Sequence, residues 1–304
     1  MPNVYGKGLQ PAPMQHSHRN QNRLYLLGAA FLFSTGGAAI KACSLNNWQV
    51  AGFRSGVAAV VLWLLLPGAR RGWTLRTWLT GAAYAATLIL FVTANKLTTS
   101  ANAIFLQSTA PLYLCLLGPL LLREKIRRVD LVVMGAVAAG ALLLLSAAQS
   151  GVATAPEPAK GNWIGLVSGL TWALTIAGLR MLSKEKPAAA GESATAAVIV
   201  GNIIAFIVCL PFALPVEHIS AADAGAVFYL GAFQIGLAYV LLTRSLLTIP
   251  ALEASTLLLV EPALNPLWTL ILNGENPGMR AIAGGAVIAL AALIPFARWS
   301  GPKH

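Results

Sequence analysis

What most constrains this chain is a series of ten apolar runs, each near twenty residues long and parted from the next by a short polar break. They cover approximately 23–43, 48–67, 74–95, 99–121, 129–148, 161–182, 194–214, 221–243, 250–272 and 279–298. Crossing the ~30 Å hydrocarbon core of a bilayer takes about 20 residues of helix, since only complete helices or closed barrels leave no backbone group unpartnered in lipid. The breaks carry residues that end helices: LNN at 45–47, PGARRG at 67–72, REKIRR at 123–128, TAPEPAKG at 154–161, SKEKP at 183–187 and NGENPG at 273–278. Only 10% of the residues are charged and 57% are hydrophobic, whereas soluble domains carry about a quarter charged. The expectation is an all-α membrane protein of ten transmembrane helices, with the lipid bilayer as its solvent.

Charge placement sets the orientation. With the N-terminus in the cytoplasm, sixteen of the 21 Lys and Arg fall on the cytoplasmic side, from Lys7, Arg19 and Arg23 through Arg70, Arg71 and Arg123 to Arg298 and Lys303. Lys96, Lys160 and Arg280 lie opposite, and Lys41 and Arg54 lie at or within helices. The positive-inside rule therefore puts both termini in the cytoplasm of a multi-pass protein of the cell's inner membrane. The same rule accounts for the net charge of +11, so nucleic acid is not an expected partner. Residues 1–22, rich in Pro, Gln, Asn and His without a signal-like apolar core, read as a disordered cytoplasmic tail, and 299–304 as a second tail.

The chain repeats itself. A shift of 151 residues lays 101–124 on 252–275, matching Ala103 with Ala254, Leu106 with Leu257, Pro111 with Pro262, Leu116 with Leu267, Leu121 with Leu272 and Glu124 with Glu275. Leu and Ala coincide cheaply in such a composition; a helix-interior Pro and a helix-ending Glu in one register do not. The units are 23–148 and 161–298, joined by a linker at 149–160. Five helices per unit is an odd number, so the second copy is inverted. Two near-equivalent packings of inverted copies give inward-open and outward-open states of similar energy, which is what secondary transporters use.

Ionisable groups inside lipid are expensive and face a cavity or a partner. Lys41 and Arg54 fall near the outer ends of their helices, where long stems snorkel to headgroups, form ion pairs or reach a substrate carboxylate. Glu253 and Arg244 flank one cytoplasmic break and read as an ion pair across it. Glu261 sits mid-run beside Pro262; a helix kink there, mirrored at Pro111, would line a cavity. Tyr84, Gln107, Trp163, Trp172, Asn202, Gln234, Tyr239 and Glu261 together offer ring faces and hydrogen bonds to a small molecule; singly, each serves equally as a helix-helix bond. Trp48, Trp73, Trp78 and Trp299 read as interfacial anchors, and Gly52, Gly56, Gly161, Gly165 and Gly169 as close-packing positions.

Other classes of function lack their residues. Cys43, Cys115 and Cys209 have no metal or redox spacing, and His16, His18, His218 and His304 lie outside every apolar run. No metal site, no cofactor and no enzyme is therefore expected. An ATP-driven pump would need a GxxxxGK[ST] loop and a soluble nucleotide domain, and neither is present.

Lys41 after GGAAI, Arg54 opening helix two, Pro111, REK at 123–125, Trp172 and Glu261-Pro262 together resemble the drug/metabolite transporter superfamily, EamA type. Within it the chain is most similar to the aromatic amino acid exporter group (YddG-like). The resemblance implies ten helices, a central cavity shared by the repeats, cytoplasmic termini and export of amino acids or related metabolites, from a unit expected to be a monomer. Another metabolite or a cationic drug as cargo, and a passive channel, are the rival readings. The chain departs from the pattern at Glu253 and at NGE, 273–275.

Overall fold

The structure, a computed structural model, describes residues 13–123, 126–145, 154–185, 190–276 and 278–297. Glu124 and Lys125 of the REK motif, Trp299, His304, both chain ends and part of the linker lie outside them. All the regular structure described is helical; no strand occurs among these residues.

The first repeat comprises α1 (Pro13–Ser34), α2 (Gly36–Ala42), α3 (Asn47–Leu65), α4 (Leu75–Leu97), α5 (Ser100–Gln107), α6 (Ala110–Leu117) and α7 (Arg128–Leu145). The second comprises α8 (Pro158–Glu185), α9 (Ala190–Ala213), α10 (Ala221–Tyr229), α11 (Ala238–Ser245), α12 (Ala251–Leu257), α13 (Val260–Asn273) and α14 (Gly278–Ala297). Several of these join end to end. Eight stretches are long and apolar enough to cross a bilayer: Asn20–Ala42, Asn47–Leu65, Leu75–Leu97, Ser100–Leu122, Pro158–Lys184, Glu192–Ala213, Ala221–Ser245 and Ala251–Asn273. Helices α7 and α14 pack on each other beside them.

Local chemistry explains the ends. The Asn46 and Thr74 side chains accept from the backbone N–H of Gln49 and Thr77, and Ser220 does so from Asp223, each completing a capping box; such caps contribute about 1 kcal/mol apiece. The helix that carries each matched Pro is broken just ahead of it in both repeats. Ser108–Thr109 separate α5 from α6, and Leu258–Leu259 separate α12 from α13, with Pro111 and Pro262 in the first turns that follow. A proline cannot donate to the carbonyl four residues back, so the ladder opens ahead of it. The repeat register recurs at the far end, where Arg123 (φ 54°) and Gly274 (φ 63°), 151 positions apart, both close their helices in the left-handed conformation. Arg there is unusual, since only glycine enters that region without a Cβ penalty.

Packing brings the repeats together. The closest partners are α4 with α8 and α9, and α3 with α9. Small residues set these approaches: a Cβ added at Gly201 would lie 2.5 Å from Tyr84 Cδ1, and one at Gly52 2.9 Å from Cys209 Cβ. Gly161, Gly165 and Gly169 likewise meet Thr98, Leu106 and Thr109 across the α5·α8 and α6·α8 contacts. Leu64, Leu65, Leu120, Ile271 and Leu272 face outward on the helix surfaces, as a lipid solvent demands. The three cysteines are buried thiols.

Two expectations change here. The first helix begins at Pro13, so residues 13–22 continue the helix instead of forming a disordered tail. Asn22 donates to Thr248 Oγ1, and Ser245 Oγ donates to the Asn22 carbonyl, fixing its end. The partner the structure gives Glu253 is Arg23, at 2.6 Å, in place of the expected Arg244 across the turn; the helical N-terminal extension brings Arg23 alongside.

Candidate functional site

The breaks and the close approaches converge on one cavity in the middle of the bundle. Phe33 of α1 and Arg54 of α3 form part of its wall, with Thr87, Leu88 and Phe91 of α4 and Gln107 at the end of α5. The second repeat supplies Trp172 of α8, Tyr239 of α11 and Glu261 of α13. Gln234 and Ile235 complete it from Leu230–Leu237, a π-helical segment between α10 and α11. Such wide turns re-aim side chains and occur often at functional sites. Here the segment approaches α3 so closely that a Cβ on Gly231 would stand 2.6 Å from the Arg54 carbonyl oxygen.

The wall is aromatic on one side. Phe33 meets Tyr239 at a ring separation of 5.1 Å and Trp172 at 6.2 Å, both edge to face. Tyr84 lies 4.5 Å from Tyr239, and Asn202 donates to the Tyr84 hydroxyl at 3.5 Å. These two back the wall without lining it. The same cavity holds polar groups with little to bind. Arg54 is 1% exposed, and its one hydrogen bond runs from Nη2 to the Leu88 carbonyl at 3.2 Å. Its Nε and Nη1, and Gln234 Oε1, are buried without partners. Glu261 is 8% exposed on the same wall. Gln107, by contrast, donates to Ser168 Oγ at 2.7 Å.

The cavity holds about 40 Å³, and bonds between the repeats tie the bundle together towards both ends. At the end carrying the N-terminal helix, Arg23 of the first repeat pairs with Glu253 of the second, and within the second repeat Arg180 donates to the carbonyls of Leu246 and Leu247. At the other end the Ser44 backbone N–H and hydroxyl donate to the Asp223 carboxylate at 2.7 and 2.8 Å. The Ser100 N–H donates to Glu275 at 2.9 Å, and Asn265 donates to the Ser34 carbonyl at 3.0 Å. Burial raises the Glu275 pKa, against the opposing pull of Lys41 and of the Ser100 N–H.

Of the residues expected to form a site, Gln107, Trp172, Gln234, Tyr239 and Glu261 line the cavity, and Tyr84 and Asn202 stand directly behind. Trp163 does not join them: it is 67% exposed on the outer face of α8. Lys41 ties loops by donating to the Thr98 and Thr154 carbonyls, and so does not snorkel. Arg54 does not snorkel either. The helix starts at Asn47, which sets Arg54 about 10 Å into the span at 1.5 Å per residue. Phe33, Thr87 and Phe91 were not expected; aromatic and hydroxyl side chains common in membrane helices give no signal of which face meets a cavity.

A model of the EamA-like transporter family matches residues 23–146 and 159–296. No curated protein matches the chain in sequence. Among solved structures, one described only as "Crystal structure of protein" superposes with a TM-score of 0.68 at 17% identity, covering 93% of this chain and 99% of that one.

Proposed function

The chain belongs to the EamA-like transporter family, and on that premise we propose that it exports amino acids, aromatic and other neutral ones, by alternating access to the cavity between its repeats. The observation that carries this reading is one cavity walled by side chains of both repeats, with bonds between the repeats towards each end of the bundle. A rocking of one repeat against the other would break one set and keep the other. Aromatic edges from Phe33, Trp172 and Tyr239 suit a ring or an aliphatic side chain, and Glu261 suits an ammonium group.

In this reading α7 and α14 complete ten spans in the inner membrane, the second repeat is inverted, both termini are cytoplasmic and the unit works as a monomer. A cation bound in the aromatic wall beside Glu261 is the second reading that the same residues support. A continuous pore finds no support in a cavity of about 40 Å³.

The test is counterflow of labelled tryptophan, phenylalanine and leucine in proteoliposomes holding the full chain. Saturable exchange, faster with unlabelled amino acid inside, is expected. Flux linear in concentration would contradict the carrier, and saturable exchange of organic cations alone would move the assignment to the second reading.

A further inference from the structure

We propose that Arg54 is the anion receptor of the central cavity, binding the carboxylate of the transported molecule. This deepens the reading of the cavity as the substrate site and rests on it. A guanidinium stays charged at every relevant pH and offers five N–H donors. Arg54 spends one on the Leu88 carbonyl and leaves Nε and Nη1 buried without partners. Among the described residues no carboxylate ion-pairs with it: Glu261 shares its cavity, but no salt bridge or hydrogen bond joins them.

A buried cation of that kind is strongly unfavourable in lipid unless something neutralises it. A structural arginine would have been built with its counter-ion, as Arg23 is with Glu253 and Arg127 with Asp130. Arg54 has none and borders empty space. The planar fork is the side chain best matched to a carboxylate, which it takes through two parallel bonds. Gln234, which lines the same cavity with its own Oε1 unpartnered, supplies an acceptor for a donor elsewhere on the ligand. A molecule carrying a carboxylate is thus selected over the same molecule without it, because the second would leave the guanidinium unpaired.

The experiment is thermal unfolding of the purified full chain in detergent, titrated with tryptophan, with indole-3-propionate, which keeps the carboxylate alone, and with tryptamine, which keeps the ammonium alone. Acetate, benzoate and succinate form a second series. Carboxylates should raise the melting temperature, with tryptamine at least about tenfold weaker than indole-3-propionate. Arg54→Gln should abolish the response to carboxylates and spare that to tryptamine. Should that variant not fold, Arg54→Lys, which keeps the charge and loses the fork, should weaken carboxylates about tenfold while keeping the preference. Tryptamine binding as well as indole-3-propionate, carboxylates acting equally on Arg54→Gln or Arg54→Lys, or no carboxylate of either series acting on the parent chain would each overturn the proposal. Carboxylate binding without amino acid counterflow would keep the anion receptor and remove amino acids as cargo. Counterflow undiminished in the Arg54 variants would do the reverse.

Discussion

At the scale of single residues, the centre of the molecule is defined by polar groups that lack partners. Glu261 makes no ion pair and lines the cavity, so its neutral isostere removes nothing that holds the fold. Glu261→Gln should therefore keep the melting temperature while lowering amino acid counterflow at equal protein level, by about tenfold or more; equal flux would leave the carboxylate a packing role. The identity of such residues was legible in the sequence, because a charge in an apolar run stands out. Their neighbours were not. Depth can be counted along a helix from its cap, but which way a side chain turns depends on helices far away in the chain. Trp163 and Trp172 sit on one helix in the same composition; one faces outward and the other the cavity.

Among helices, contact is decided by what is missing. Gly201 admits the Tyr84 ring and the Gly81 carbonyl between α9 and α4, and a Cβ there would stand 2.5 and 2.7 Å from them. Gly201→Leu should push the pair apart and cost about 1–3 kcal/mol or more, seen as a lowered melting temperature. Gly135→Leu and Gly225→Leu, with nothing within 4 Å of the added Cβ, should change little. The helix breaks were readable because proline has one backbone meaning. Pro111 and Pro262 marked both, and the structure places a break just ahead of each and the two left-handed caps in the repeat register that the matched prolines imply. The π-helical segment at Leu230–Leu237 left no such mark. Its wide turns arise from packing against α3 and not from any residue with a fixed dihedral.

For the whole molecule, eight of the ten expected spans and the repeat were legible from apolar length and one shared register, whereas the bonds towards the ends pair residues up to 231 positions apart and leave no local trace. Those bonds set the balance between conformations. Asp223→Ala removes the acceptor of the Ser44 N–H and hydroxyl, and bonds to a charged group contribute about 1.5–3 kcal/mol each. It should open that end and raise labelling of a cysteine placed at Thr87 by membrane-impermeant reagent about tenfold. Glu253→Ala should do the same from the other face.

Alternation itself is tested most directly by locking each end in turn. In a chain with Cys43, Cys115 and Cys209 replaced, the pairs Ser44→Cys with Asp223→Cys and Arg23→Cys with Glu253→Cys are cross-linked in proteoliposomes and counterflow is measured. Each lock alone should stop exchange, and reduction should restore it, since cargo must pass both ends by turns. Exchange that continues at the parent rate with either end held shut would contradict a carrier built around this cavity.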